Sequence, residues 1–521
     1  MAKKRLLIPA LIGIFLLSAC SSNVNKLAND TIYIGITSDP IILNPILSTD
    51  SASSDITDMI FSGLVKVNPK LQIVPDLCDT WTVSADGKIY TFKIRHGIKW
   101  HDGTPFTAYD AKFTYDIILD TRTQTVRREM FSSFSHFDVP DSYTLIAYLK
   151  KPYAPAIVSF GMSIIPKHIF EGKDINTTEW NNKPIGTGPY EFVAWKRGQY
   201  VLLKANPTYF MHKPNIAKIL FKVIPEETVQ LMNLERGSLD MTSIPPAEVG
   251  RLKKNNRIQI FYTDQLAYSY IGFNLRRPLF KNKKIRQALS YLVNRKAIVK
   301  YIQNGLGTPA TGPIPPVGWA YTANVKQYTF NPRKGLNLLN EAGFKNKDKK
   351  GFLVNAAGKE LTFNLATNQG NDVRKQVLEF VQATWRKYGI NASVNVVEWS
   401  SFIKKYINSH NFDAVLLGWQ TGIDPGQYAI WHSSQMQKGF NFIGYSNPKV
   451  DKLLESGRRE MDRQKRKNIY FKFQKEIADD APYIFLYYPK GITGVSKRIN
   501  VVKPTRFSLM YNFIDWNIRA E

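Results

Sequence analysis

The sequence predicts an α/β protein built as two lobes, and three observations carry that reading. At 521 residues the chain is too long for one hydrophobic core. From Leu361 to Gly418 strand and helix patterns alternate as a βαβαβ unit, which implies a parallel sheet. The chain crosses into this unit near residue 270 and leaves it near 485, so that two segments would connect the lobes as a hinge. A composition of 44% hydrophobic and 21% charged residues fits a globular protein, neither disordered nor membrane-embedded.

The elements follow in order. Lys3, Lys4 and Arg5 precede a short apolar run, Leu6 to Leu17, broken by Pro9 and Gly13. That run is too short to span a bilayer and reads as a secretory signal. Residues 21–30 are polar and suit a tether. Thr31 to Thr37 reads as a strand, followed by Asp39-Pro40 and Asn44-Pro45; residues 51–65 carry a helical pattern. Residues 66–170 are rich in strands and turns. Asp86-Gly87 supplies a tight hairpin turn, and Tyr90, Phe92 and Ile94 alternate with Thr91, Lys93 and Arg95 as in a half-buried strand. Asp102-Gly103 makes a second turn, and Thr107 with Asp110 three residues on opens a helix through Phe113 and Tyr115.

The glycines and prolines of Lys183 to Tyr190 suit a stiff turn between lobes or subdomains. As a phosphate cradle this stretch is poor, because no lysine follows and Pro189 lacks an amide donor. Strands at Val201–Ala205 and Ile219–Ile224 lead to a helix from Thr228 to Arg236. In the second unit, Leu361–Thr367, Ile390–Val397 and Phe412–Gly418 are strands. The helix Asn371 to Tyr388 carries Val373, Val377, Phe380, Val381 and Trp385 on one side, with Gly389 closing it. Helices Asn447–Gly457 and Asp462–Asp480 follow, and Tyr483–Tyr488 is expected to return to the first lobe.

The formal net charge is +28, and becomes +25 without Lys3, Lys4 and Arg5. Basic residues are dispersed; the densest runs, Arg276-Arg277 with Lys281 to Arg286 and Arg458 to Lys467, are expected on solvated helix faces. No nucleic-acid motif accompanies them, so nucleic acid is not an expected partner. Catalytic patterns are equally absent. There is no G-x-S-x-G elbow. Gly351 to Glu360 has six residues between its glycines, and Glu360 stands where a phosphate loop needs Ser or Thr. Seven scattered histidines, with His96 and His101 the nearest pair, make no zinc pattern. Neither enzyme activity, metal nor cofactor is expected.

Trp81, Asp86-Gly87, Tyr90 to Phe92, Ile94-Arg95, Gly97, Lys99 to Gly103, Pro105-Phe106, Ala108 and Asp110 together resemble the signature of one import family. It is the family 5 extracellular solute-binding lipoproteins of ABC importers, which take oligopeptides, dipeptides or nickel. Asn44-Pro45, Lys183 to Tyr190, Gly237 to Asp240, and Asn274, Pro278 and Phe280 with Ile285 to Leu289 resemble further motifs of that family. Leu17 to Cys20 resembles a lipobox, which implies cleavage before Cys20 and its lipidation; Cys78 would then be a lone buried thiol.

The resemblance implies a hinged periplasmic-binding-protein fold of the large class, with an extra subdomain in lobe I. Its expected layout is a signal peptide at 1–19, a tether at 20–30, lobe I at 31–268 with an inserted subdomain at about 54–180, lobe II at 269–484, and a return to lobe I at 485–521. Expected partners are an oligopeptide or other small solute, an ABC permease with its ATPase subunits, and a membrane held through the lipid. The protein would be a monomer in the cell envelope, facing periplasm or exterior.

Ligands gather at the carboxyl ends of parallel strands, which directs attention to Gly418 to Pro425. This stretch resembles the family's ligand loop, whose backbone pairs with an extended peptide and whose aspartate, three residues before the proline, neutralises the peptide amino terminus. Here Gly422 occupies that place, and Asp424 matches a position whose usual job is structural. The candidate ligand-binding residues are Trp419, Gln420, Thr421, Gly422 and Asp424, with Asn368, Tyr190 and Trp399 as further cleft candidates. Oligopeptides are the expected cargo. A metal chelate, an oligosaccharide or an opine, and a signalling or adhesion lipoprotein without transport, stay open as alternatives.

Overall fold

The structure is a computed structural model that describes residues 29–437 and 439–519; Cys20, the signal segment and the tether up to residue 28 lie outside them. No helix among the described residues is long and apolar enough to cross a membrane.

The chain opens with β1 (Thr31–Ile36) and α1 (Ser51–Ile60), whose N-cap Asp50 accepts from the Ser53 amide. The hairpin β2 (Cys78–Val83) and β3 (Ile89–Ile94) turns at Gly87, whose φ of 70° is open to glycine at no steric cost. Tyr90, Phe92 and Ile94 are buried, as their alternation requires. Helix α2 (Ala108–Leu119) starts where the Asp110 carboxylate accepts from the Thr107 amide at 2.9 Å. With β4 (Phe134–Asp141) and β5 (Thr144–Leu149), the hairpin forms a four-stranded antiparallel sheet in the order β2-β3-β5-β4. Cys78 is buried there, and burial pushes its thiol up to about 11.

Then come β6 (Tyr190–Lys196), β7 (Tyr200–Ala205), β8 (Lys218–Val223), α3 (Glu227–Arg236), β9 (Met241–Ser243), β10 (Ile258–Asp264) and β11 (Ala267–Phe273). The second unit holds β12 (Thr362–Asn368), α4 (Asp372–Lys387), β13 (Asn391–Val397), β14 (Ala414–Gln420), α5 (Pro448–Arg459) and α6 (Arg463–Asp480). Then comes β15, fourteen residues from Tyr483 to Ser496, followed by a short C-terminal segment in which Ile499–Asn500 pairs with Asn517–Ile518.

One twelve-stranded sheet runs through the molecule in the order β13-β12-β14-β11-β15-β9-β1-β8-β7-β6. β10 and the short strand Gly307–Pro309 also pair with β15. β12 is parallel to both β13 and β14, and β1 to β8 and β9, which matches the expected βαβαβ unit. Tyr483 to Tyr487 of β15 pair with β11, and Lys490 to Ser496 pair with β10. Tyr483–Tyr488 therefore lies in the second lobe's sheet, contrary to the expectation that it returns to the first. β15 changes partners at Pro489-Lys490, and β10 passes to β11 through Gln265-Leu266. An unbroken extended run carries no local signal of where it changes sheets.

Separate apolar clusters fill the lobes. The first packs Phe92, Trp100, Tyr115, Phe131 and Phe134 beneath the four-stranded sheet and extends to Ile32, Ile34 and Ile219. Two others lie on the two faces of the second lobe's sheet, one around Ile271, Leu416, Val377 and Trp385, the other around Tyr270, Leu417, Trp431 and Tyr470. The basic runs are not wholly solvated as expected. Arg286 and Arg466 are buried, and Arg286 donates to the carbonyls of Phe280, Lys281, Asp480 and Ala481, so its charge is consumed by backbone acceptors.

The glycines of the 183–190 stretch serve a close approach inside the first lobe. Gly188 N donates to Ile60 O at the end of α1, and a Cβ on Gly186 would stand 1.8 Å from that carbonyl oxygen. His101 belongs to the same packing, its ring against Gly188 O at 3.0 Å. Because the obstacle is backbone and cannot swing aside, Gly186→Ala is expected to destabilise the protein by about 2–3 kcal/mol or more. A thermal-melting midpoint matching wild type would refute this account.

Candidate functional site

The site is assembled at the carboxyl ends of β12, β13 and β14. β11 pairs with β14 along its whole length, from Ala414 to Gln420. β12 pairs with it only at Ala414 and Val415, before Thr367 Oγ1 donates to Leu416 O at 2.8 Å. Beyond that point, the β14 edge facing away from β11 has no strand beside it among the described residues. Gly418 and Gln420 on this stretch are exposed.

Trp419 and Gln420 lie on the strand itself, two residues beyond the expected strand end. The Trp419 indole is half-buried, donates to Tyr483 Oη at 3.3 Å, and packs edge-on against Phe440 at 5.3 Å. Thr421 turns the chain out of the sheet through its N–H and hydroxyl, both donating to Leu266 O at the lobe crossing. Gly422 is exposed. Gln420 and Thr421 line a cavity of about 260 Å³ whose other walls come from Asn68 and Pro69, Asp264 to Leu266 and, from the C-terminal segment, Phe507 and Tyr511. This cavity lies between the two lobes, beside the crossing.

Asp424 sits in the same loop but is fully occupied. Arg466 grips its two oxygens at 2.6 and 2.8 Å, and the Gly426 amide donates to it at 2.8 Å. A carboxylate so held is a structural clamp and is not offered to a ligand. Nor does Asp264 in the cavity wall stand free, because Lys490 and Arg506 both pair with it. Among these carboxylates, none replaces the aspartate missing at Gly422.

The remaining candidates divide. Asn368 ends β12, and its side-chain oxygen accepts from Arg374 Nη1 at 2.7 Å, which places it at these strand ends. Trp399 follows β13, half-buried against Phe402 with ring centroids 6.4 Å apart, on the rim of the same strand ends. Tyr190 belongs to the first lobe's core. It is fully buried, its hydroxyl donates to Ile216 O at 3.1 Å, and its ring lies against Phe513. A tyrosine after a Gly-Pro turn carries no mark that separates core from cleft.

Sequence reasoning missed Arg374, in the first turn of α4. Its guanidinium lies close beneath Gly418, with Nη2 3.4 Å from where a Cβ there would be. It makes no ion pair among the described residues, and burial lowers its pKa. A cation in the first turn opposes the helix dipole, and that misfit was the available signal. Facing it from the first lobe is Glu227 at the start of α3. Burial first, and then the neighbouring Asp372, raise the Glu227 carboxyl from 4.5 to about 7, and its Oε2 is buried without a hydrogen-bond partner.

A family model, "Bacterial extracellular solute-binding proteins, family 5 Middle", matches residues 72–441. The chain belongs to this family. It is 34% identical over 523 residues to the oligopeptide-binding protein AppA of Bacillus subtilis, covering 96% of each chain. The structure of that protein in complex with a nonapeptide superposes with a TM-score of 0.89 at 33% identity, covering 94% of this chain and 99% of that one. NikZ from Campylobacter jejuni, in complex with Ni(L-His), gives 0.88 at 28% identity, covering 94% and 100%. Family 5 proteins are extracellular, and peptides and ABC permeases are their typical partners. The fold is the family's two-lobed one.

The pH response of Glu227 follows from its raised pKa. Folding disfavours its ionised form, so its penalty is fully present above about pH 7 and fades as the pH falls towards the ordinary glutamate value of 4.5. Glu227→Gln is therefore expected to melt higher than wild type at pH 8 and at nearly the same temperature below about pH 4. An equal difference at both pH values would contradict the assignment.

Proposed function

We propose that this protein captures peptides between its lobes and delivers them to an ABC permease and its ATPase subunits. The observation that carries the reading is the open edge of β14 from Leu417 to Gln420, which faces the other lobe where the parallel strands end. An extended peptide laid there gains main-chain hydrogen bonds common to every sequence, which suits broad cargo. Trp419 supplies an apolar wall, Gln420 and Thr421 the polar rim, and Asn368 orients Arg374. The Arg374 guanidinium, held by Asn368 and facing the Glu227 carboxyl, is the group to receive the peptide's carboxylate. Gly422 leaves the amino terminus without the usual anchor, so recognition shifts to backbone and carboxyl end.

The same reading includes Cys20 as the lipid-bearing first residue of a monomer tethered to the cell envelope. The lobes divide at the two strand crossings, giving lobe I as 31–265 with 490–521 and lobe II as 266–489. The inserted subdomain is the four-stranded sheet with its helices. A second reading, uptake of a metal chelate, draws support from Gly422 and from the likeness to NikZ, since a chelate brings its own metal ligands.

Native mass spectrometry of the protein as purified, with fragmentation of what it releases, tests the choice. A ladder of peptide masses is expected; one metal-containing mass would replace the peptide reading with the second. Against synthetic nonapeptides, Arg374→Ala is expected to weaken binding by about 10- to 100-fold, as loss of one charge-assisted hydrogen-bonding group does. C-terminal amidation should weaken wild type similarly and leave Arg374→Ala indifferent. If amidation affects both proteins equally, Arg374 is not the carboxylate partner.

A further inference from the structure

The lobes also meet away from the strand crossings. Arg458 closes α5 in the second lobe and reaches the inserted subdomain of the first. Its Nη1 stands 2.6 Å from Glu129 Oε1, with the two side chains 12% and 17% exposed, and its Nη2 donates to Ser132 Oγ at 3.3 Å. Its carbonyl accepts from the Ala154 amide at 2.8 Å. The guanidinium lies over the rings of Tyr153 at 4.9 Å and of Tyr428 at 4.1 Å, one from each lobe. Glu129 lies beside Phe131 in the first lobe's core, whereas Leu454 on α5 packs in the second's. The contact therefore joins two bodies with separate cores.

This contact is tied to the candidate ligand loop. Arg466, which grips Asp424, also donates from Nε to Gly457 O at 2.6 Å, on the residue before Arg458. Gly457 needs to be glycine there, since a Cβ would stand 2.8 Å from the Tyr470 ring. Asp424, Arg466, Gly457 and Arg458 thus form one block, with the ligand loop at one end and the lobe contact at the other.

We infer that Arg458 and Glu129 are a latch that sets the balance between closed and open lobes, and that the Asp424–Arg466 clamp couples it to the ligand loop. The inference rests on the reading of the cleft as the capture site. Opening the lobes returns both charges to water, so the pair carries no permanent burial and is made anew at each closure. Because ligand affinity includes the free energy of closing, a weaker latch lowers affinity without touching the ligand.

The test uses the full chain, stripped of ligand in denaturant and refolded, as Glu129→Gln, Arg458→Gln and the double variant. Small-angle scattering of the ligand-free proteins is expected to give a larger radius of gyration for each single variant than for wild type. The double variant should match the singles, because either change alone breaks the pair. Retention of a synthetic nonapeptide library should fall about tenfold in all three. Near-ultraviolet circular dichroism identifies any variant that has failed to fold, and Glu129→Gln, close to wild type in shape, remains informative if Arg458→Gln does not fold. Unchanged scattering in Glu129→Gln, or additive effects in the double variant, would overturn the latch. Failure of wild type to retain any peptide would instead defeat the peptide reading, while the scattering would still decide the latch.

Discussion

The backbone ladder of β15 is the constraint on which the rest of the molecule depends. A strand's N–H and C=O groups need partners wherever they are buried, and β15 finds them in two places. Its first half is completed by β11 and the short strand at 307–309, its second by β10 and β9. The lobes are therefore joined by paired strands. Pro489, at the change of partners, has no N–H to contribute to the ladder.

Away from the crossings the lobes face one another through charge. Glu227 confronts Asp372 and Arg374, and Arg458 meets Glu129. Charged groups recover hydration when they separate, whereas apolar surface does not. Two sealed cores with an ionic seam between them can part and rejoin without exposing either core. The seam is what makes a cleft reversible, and capture requires reversibility.

The basic excess of the chain has a partly architectural origin. Arg286, Arg295 and Arg466 are buried, and their guanidinium groups satisfy carbonyls where helices end and segments cross. Arginine suits this work because one planar group offers five donors. Arg374 differs from them in donating to a side-chain amide, that of Asn368, with the Glu227 carboxyl facing it from the first lobe.

The sequence by itself determined the local elements and the family. Alternation fixed the hairpin at Gly87, helical spacing fixed α4, and the βαβαβ order fixed the parallel sheet, because each depends on neighbours a few residues apart. The strand that ends near Gly418 was legible for the same reason. What only the tertiary structure decided depends on residues far apart in the chain: that β15 changes sheets at Pro489, that Tyr190 is core, that Asp424 is spent on Arg466, and that Arg374 lies under Gly418 facing Glu227. Each is a matter of which distant group fills a donor, an acceptor or a space, and no local periodicity encodes that.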